Sequence, residues 1–79
     1  MKLTVRYFAA FRELTGTESE SVETSAATPA ELFGECSARH EQLQKYTSSM
    51  VAINDEMAGW DSTLSSGDEV LFFPPVAGG

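Results

Sequence analysis

The sequence predicts an α+β domain in which a mixed sheet of four or five strands carries one main helix across one face. Three observations lead to this prediction. Apolar and polar residues alternate at residues 2–8, and an apolar run at residues 70–73 predicts a short strand at 69–73. The segment that begins at Thr28 has the signals of a capped helix start. The linkers are short, and 79 residues are enough for one small domain only.

The first strand is predicted at residues 2–8, where alternation separates two faces: Leu3, Val5 and Tyr7 on one, and Lys2, Thr4, Arg6 and Phe8 on the other. Residues 9–15 have helical composition and stop at Gly16, which suits a C-terminal helix cap. Residues 19–24 contain one apolar side chain, Val22. They are expected to form a polar strand at an edge of the sheet.

The main helix is predicted to run from Pro29 to about His40. Thr28 can cap the first free N–H groups, proline is favoured at the first helical position, and Glu31 can reach back to complete a capping box. The apolar side chains that follow recur at roughly helical spacing: Leu32, Phe33, Cys36 and Leu43.

The second half of the chain is predicted to alternate short strands with turns. The predicted elements are a strand at 50–53, a turn at Asn54-Asp55, a return strand at 56–58, a capped single helical turn at 61–64, a turn at 66–68 and a last strand at 69–73. Pro74 and Pro75 end that strand because neither can donate to a ladder. This order matches a ubiquitin-like β-grasp domain over residues 1–75, in which the first and last strands are central neighbours. Residues 76–79 are expected to form a flexible tail.

The charge balance excludes some classes of partner. Twelve acidic residues against five basic ones give a net charge of −7. This disfavours nucleic acids and anionic membranes and favours a basic protein partner. No apolar stretch approaches the roughly 20 residues that span a bilayer. Cys36 is the only cysteine, so no internal disulfide can form, and a reducing cytoplasmic setting fits best.

The sequence offers no ordinary active site. Cys36 and His40 are four residues apart and could share a helix face, but a buried core thiol and a histidine at a helix end are the favoured interpretation. A Gly-rich phosphate loop, a paired-His zinc motif and a nucleophile elbow are all missing. We therefore expect no catalytic side chain, no metal site and no bound cofactor.

The C-terminus carries the remaining chemical signal. Pro74 and Pro75 stiffen the exit from the last strand. The chain then narrows through Val76, Ala77, Gly78 and Gly79 to a backbone without side chains. Such a tail can be threaded into a tunnel, and its end is an unhindered carboxylate. The predicted reactive group is thus the terminal carboxyl of Gly79.

With these residues the chain resembles the small, sulfur-carrying subunits of molybdopterin synthase, the MoaD family. The resemblance spans nearly the whole chain and rests on three segments: Tyr7-Phe8-Ala9…Arg12-Glu13…Gly16, the helix led by Thr28, and Gly67-Asp68-Glu69-Val70…Phe72-Phe73-Pro74-Pro75-Val76-Ala77-Gly78-Gly79. It implies a β-grasp fold and a sulfur carrier whose C-terminal glycine becomes a thiocarboxylate.

The resemblance also implies the partners. A ubiquitin-activating-type enzyme would adenylate Gly79 with ATP, and a sulfur donor would displace AMP. The charged carrier would then dock on the large synthase subunit, in a heterotetramer of two small and two large subunits. There it would give sulfur to cyclic pyranopterin monophosphate. The catalytic side chains would belong to the partners.

A docking face follows from strand parity. If Leu3, Val5 and Tyr7 pack under the helix, then Phe8, Leu71 and Phe73 form an apolar patch on the opposite face, beside the tail. Arg12 would fix orientation at the rim of this patch. Pro74 and Pro75, at the tail exit, complete the expected partner contacts.

Three other functions share parts of this pattern. A sulfur carrier for thiamin thiazole or for an amino acid would use the same tail with a different receiving enzyme. A ubiquitin-like modifier would be joined to lysines of other proteins. A plain binding module would have an inert tail.

Overall fold

The computed structural model of the protein describes residues 1–8, 10–45 and 49–74. It contains five strands, which are β1 (Lys2–Tyr7), β2 (Ser19–Glu23), β3 (Met50–Ile53), β4 (Glu56–Ala58) and β5 (Glu69–Phe73). The helices are α1 (Ala10–Thr15), α2 (Pro29–Arg39) and a 3-10 helix (Glu41–Lys45). The strands form one mixed sheet in the order β2-β1-β5-β3-β4, which confirms the predicted α+β, ubiquitin-like β-grasp architecture.

The first and last strands are the central neighbours, as predicted. β1 runs parallel to β5, with Val5 opposite Val70 and Tyr7 opposite Phe72. β2 pairs antiparallel with β1, β3 pairs antiparallel with β5, and β4 pairs antiparallel with β3. β2 is an edge strand whose Val22 is buried, which confirms the prediction for residues 19–24.

The core lies between α2 and one face of the sheet. Leu3, Val5 and Tyr7 are buried in it, as the alternation of β1 predicts. An aromatic group packs over the end of β5. The rings of Trp60 and Phe72 stack with centroids 5.8 Å apart, and Phe33 meets Phe72 edge-on at 4.9 Å. Burial of such rings contributes most of the stability available to a small domain.

Helix α2 begins and ends close to its predicted limits. The Thr28 hydroxyl accepts a hydrogen bond from the Glu31 N–H at 3.3 Å. The Glu31 carboxylate accepts from the Ala27 N–H at 2.7 Å, one residue before the partner that a capping box uses. The helix ends at Arg39, with His40 as its C-cap. The cap is therefore reciprocal, but its second half reaches further back than expected.

The prediction of a helical turn at residues 61–64 is wrong. Trp60 and Asp61 form a turn, and no helix follows. The Ser62 hydroxyl accepts from the Gly59 N–H, behind it in the chain, instead of capping N–H groups ahead of it. The Leu64 N–H donates to the Ala27 carbonyl at 3.0 Å, and its side chain is buried. Tertiary contacts thus hold this segment in a path that is not helical.

The predicted turns at the other sites are present. Gly16 follows α1 with φ +75°, and its N–H donates to the Arg12 carbonyl, which is a left-handed C-terminal cap. Asn54 and Asp55 have φ values of 51° and 70°, and they join β3 to β4 as a two-residue hairpin. No helix within residues 1–8, 10–45 and 49–74 combines the length and the hydrophobicity needed to cross a membrane.

Candidate docking face and carrier tail

The face of the sheet opposite α2 carries an apolar surface, which we call the outer patch. Side chains alternate along each strand, so the neighbours of the core residues in β5 point to this outer face. Strand pairing brings six apolar side chains of the outer face together, namely Phe8, Met50, Ala52, Met57, Leu71 and Phe73. The structure thus places together the three residues that the sequence predicted for the apolar patch, and three further apolar residues lie beside them on the same face.

One row of the outer patch crosses the end of the sheet where the tail begins. Tyr7 is opposite Phe72, and the Phe8 N–H donates to the Phe72 carbonyl at 3.2 Å. Phe8 and Phe73 therefore lie side by side at the ends of the two central strands. On the other side of β5, Phe73 is opposite Met50. The Phe8 side chain is 61% exposed, whereas Phe73 and Met50 are half-buried.

A second row lies one step further along the strands. Leu71 is opposite Arg6 on one side and Ala52 on the other, and Ala52 is opposite Met57. Ala52 is only 6% exposed, but Met57, on the edge strand β4, is 61% exposed. The apolar surface thus extends from the central strands to the edge of the sheet.

Charged and polar groups mark the far limit of the outer patch. An Arg6 guanidinium nitrogen donates to a Glu69 carboxylate oxygen at 3.2 Å, and both side chains are more than 40% exposed. Beyond this pair, the Asn54 side chain accepts from the Glu69 N–H and donates to the Asp68 carboxylate. An exposed ion pair of this kind adds little stability. The Arg6–Glu69 pair and the polar groups beyond it limit the apolar surface to the end of the sheet where β5 ends.

Arg12 and Pro74 lie at the same end of the domain. Helix α1 begins two residues after Phe8, and the Phe11 N–H donates to the Phe8 carbonyl. Arg12 is exposed, and no ion pair holds it among the described residues. Pro74 directly follows β5 and is half-buried. Pro75, a predicted partner contact, and the predicted tail of residues 76–79, with its predicted reactive group on Gly79, lie outside the described residues.

Cys36 and His40 do not form a catalytic pair. The Cys36 side chain is fully buried, and burial raises the pKa of its thiol above the usual value. The Arg39 guanidinium donates to the sulfur at 3.5 Å. The Nε2 atom of His40 lies 3.1 Å from a Glu20 carboxylate oxygen. A buried, protonated thiol is a poor nucleophile, which confirms Cys36 as a core residue.

Glu20 joins the edge of the sheet to the end of α2. It is opposite Val5, on the core side of β2. The Arg39 guanidinium donates to its carboxylate at 2.7 Å, on the oxygen not used by His40. Burial alone would raise the pKa of Glu20, but hydrogen bonds with His40 and Arg39 outweigh burial and lower it. This group could not be identified from the sequence, because its members are distant from one another along the chain.

The sequence did contain the signal for the missed part of the outer patch. Met50 and Ala52 alternate with Val51 and Ile53, so parity alone would have put them on one face of β3. Met57 needed the hairpin register as well. Within the described parts of the chain, no cluster of three potential ligands could hold a metal ion.

Comparisons with known proteins agree with this geometry. The profile of the ThiS family matches residues 5–79. The molybdopterin synthase sulfur carrier subunit of Escherichia coli (strain K12) is 35% identical over 78 residues, covering 95% of this chain and 96% of the relative. The structure of SAMP1 from Haloferax volcanii has a TM-score of 0.85 and 26% identity, with 100% of both chains covered.

A third comparison concerns a complex. The solved protein-protein complex of subunits 1 and 2 of the molybdopterin-converting factor from Helicobacter pylori 26695 contains a chain with 26% identity and a TM-score of 0.68. The match covers 100% of both chains. A protein with this fold and this chain length therefore occurs together with a second subunit.

Proposed function

Since the chain belongs to the ThiS family, we propose that it is the sulfur carrier subunit of molybdopterin synthase. The full-length similarity to a molybdopterin synthase sulfur carrier subunit carries this proposal. The sequence Pro74-Pro75-Val76-Ala77-Gly78-Gly79 supports it, because it supplies a narrow tail and a carboxylate free of neighbouring side chains.

The proposed chemistry takes place at the terminal carboxyl of Gly79. A carboxylate oxygen attacks the α-phosphorus of ATP and expels pyrophosphate, which gives an acyl adenylate. Hydrosulfide released by the donor then adds to the carbonyl carbon, and AMP leaves with the electron pair of the broken C–O bond. The product is a thiocarboxylate. Activation is needed because a free carboxylate does not accept a nucleophile, whereas a mixed anhydride does.

The thiocarboxylate is then the sulfur donor to cyclic pyranopterin monophosphate. In the active site of the large subunit, its sulfur forms a bond to a substrate carbon and displaces an oxygen substituent. Water then cleaves the acyl C–S bond, which leaves the sulfur on the substrate and restores the carboxylate of the carrier. Two such transfers supply the two sulfur atoms of the dithiolene. The carrier contributes positioning of the reactive end, and the partner contributes the catalytic side chains.

The outer patch is the proposed contact with the large subunit. It lies at the end of the sheet where β5 delivers the tail, so a partner bound there would receive the tail directly. The Helicobacter pylori complex supports a two-subunit assembly. We propose a heterotetramer of two small and two large subunits, with the patch covered in each small subunit. The activating enzyme, which needs the same tail, would use the same face.

Reconstitution tests the proposal directly. The purified chain is incubated with ATP, an adenylating enzyme of the ubiquitin-activating type and a sulfur donor, and its intact mass is followed. We expect sulfur to replace one oxygen of Gly79, and molybdopterin to form when the large subunit and cyclic pyranopterin monophosphate are added. A chain that gains sulfur but supports no molybdopterin formation would contradict the assignment.

Protein modification is a second candidate function. The relative from Haloferax volcanii is described as a small archaeal modifier protein. In this case the activated Gly79 would form an amide with a lysine instead of taking up sulfur. A ladder of conjugates on incubation with cell extract and ATP would favour it, and loss of the ladder on deletion of Gly79 would link it to the tail.

A further inference from the structure

The sulfur-containing side chains of this protein have different exposures. Cys36 is fully buried, Met1 packs partly against the core, and Met50 is half-buried on the outer patch. Met57 is 61% exposed. Among the residues that the structure describes, the sulfur-containing residue most exposed to solvent is therefore a methionine on the outer patch, and not the cysteine.

We propose that Met57 is an oxidation site and that its sulfoxide switches off docking through the outer patch. The proposal rests on the proposed function for the identity of the docking partner. The reactant is a two-electron oxidant of the peroxide class. Such oxidation follows access to the sulfur, so Met57 should react before Met50 and Cys36.

The reaction balances with hydrogen peroxide alone. A lone pair on the Met57 sulfur forms a bond to one peroxide oxygen, and the O–O bond breaks. The second oxygen leaves as hydroxide with the electron pair of the O–O bond, and the proton of the sulfur-bound hydroxyl passes to it to form water. The sulfur loses two electrons and the peroxide gains them. The product is methionine sulfoxide, which sulfoxide reductases return to methionine.

The position of Met57 explains why the added oxygen would matter. Met57 ends the row that runs through Leu71 and Ala52, so a partner that covers this row must remove water from it. A flexible thioether adapts to an apolar surface. A sulfoxide brings a strong acceptor into the same place, and a buried acceptor without a donor is costly. Glu56 and Ala58, on either side of Met57 in β4, point to the opposite face of the sheet, so their side chains lie outside this row.

The experiment uses the full chain and the purified large subunit. The chain is treated with hydrogen peroxide, and the modified residue is assigned by peptide mapping, because a thiocarboxylate has nearly the same mass gain. The dissociation constant is then measured before and after treatment. We expect oxygen on Met57 first and an affinity at least roughly tenfold weaker, which sulfoxide reductase restores.

Two variants assign the effect to one sulfur. Met57→Leu should show a ratio of dissociation constants, treated to untreated, close to one, whatever its own starting affinity. Met50→Leu is the matched control and should lose affinity on treatment as the wild type does. The ratio of the treated to the untreated dissociation constant is determined for each protein and then compared between proteins. A direct effect of a substitution on binding therefore cancels from the comparison.

Three results would overturn the proposal. Oxygen found on Met50 or Cys36 before Met57 would refute the site. Unchanged affinity of a chain that carries Met57 sulfoxide would refute the switch. Sensitivity that persists in Met57→Leu would place the switch at another residue. Failure of the proposed function is seen separately: the untreated chain would then show no binding to the large subunit, and the switch would be refuted together with its partner.

Discussion

Phe72 and Phe73 are adjacent in β5 and lie on opposite faces of the sheet. Phe72 is fully buried, opposite Val51, with its ring stacked on Trp60. Phe73 is half-buried on the outer patch, opposite Met50. One strand thus holds a core residue and a proposed docking residue in consecutive positions, which allows folding and docking to be separated by substitution.

We predict that Phe73→Asp weakens docking and leaves the fold intact. In the free protein the new carboxylate is at least partly hydrated, but in the complex it would be buried against apolar surface. Binding to the large subunit, measured by titration, should weaken at least roughly tenfold, or about 1.4 kcal/mol. Phe72→Asp is the control, and circular dichroism should show it to be unfolded. The reverse pattern would mean that Phe73 is the core residue.

We predict that deletion of Gly78 and Gly79 abolishes sulfur transfer while thermal stability and docking are largely retained. The described core residues all lie between Leu3 and Phe72, well before the two glycines, so the loss should be chemical. The measurements are molybdopterin formation, the thermal midpoint, and titration against the large subunit. Full transfer activity in the shortened chain would eliminate the carrier mechanism.

We predict that Cys36→Ser retains sulfur transfer and costs stability. The hydroxyl would replace a buried thiol, and a buried hydroxyl with incomplete hydrogen bonding costs about 1–3 kcal/mol. Urea unfolding measures the cost, and the reconstituted reaction measures transfer. Cys36→Ala controls for the lost polar atom. A persulfide mapped to Cys36 during turnover would contradict the assignment of sulfur transfer to the tail.

We predict that Glu20 makes the stability depend on pH in the acid range. Its pKa is lower in the folded protein than the usual glutamate value. The stabilisation is therefore complete above the unfolded pKa of about 4.3 and is lost as the pH falls through the folded value. Glu20→Gln should lower the free energy of unfolding by about 1 kcal/mol at pH 7. Urea unfolding at pH 7 and pH 3 should show this difference shrinking in acid, whereas a constant difference would contradict the prediction.

We predict that Arg12→Ala slows association with the large subunit. Arg12 is an exposed cation without an ion-pair partner in the described residues, so it is available to an acidic group on the partner. Rim charges act chiefly on association rate and salt dependence. Stopped-flow mixing at low and high salt measures both. Lys2→Ala, an exposed cation on the first residue of β1 and beyond the outer patch, should leave the rate nearly unchanged.

The sequence predicted the strands well where one face is buried and the other is not. Alternation in β1 and the apolar run of β5 located both central strands and the faces of Phe8 and Phe73, because each strand has a period of two. Thr28 located the start of α2, because its side chain satisfies an N–H group within the same segment. These features depend on neighbours in sequence.

Features that depend on distant partners could not be predicted in the same way. Residues 61–64 have the composition of a capped helical turn, but the hydrogen bond from the Leu64 N–H to the Ala27 carbonyl fixes a different path. In the sequence, Glu20 is one of several acidic residues near a polar edge strand. Its contacts with Arg39 and His40 exist only because the fold brings the end of α2 against β2. In both cases a contact between residues distant in sequence determines the local structure, and the local sequence alone does not.

The parallel pairing of β1 with β5 also affects the order of folding. Val5 and Val70 pair although they are far apart in sequence, so the chain must close a long loop before this ladder gains any stability. The β3–β4 hairpin has a two-residue turn and closes at little entropic cost. We expect the central ladder to be the late kinetic step. The strand that leads into the tail is then in place only when the whole domain has folded.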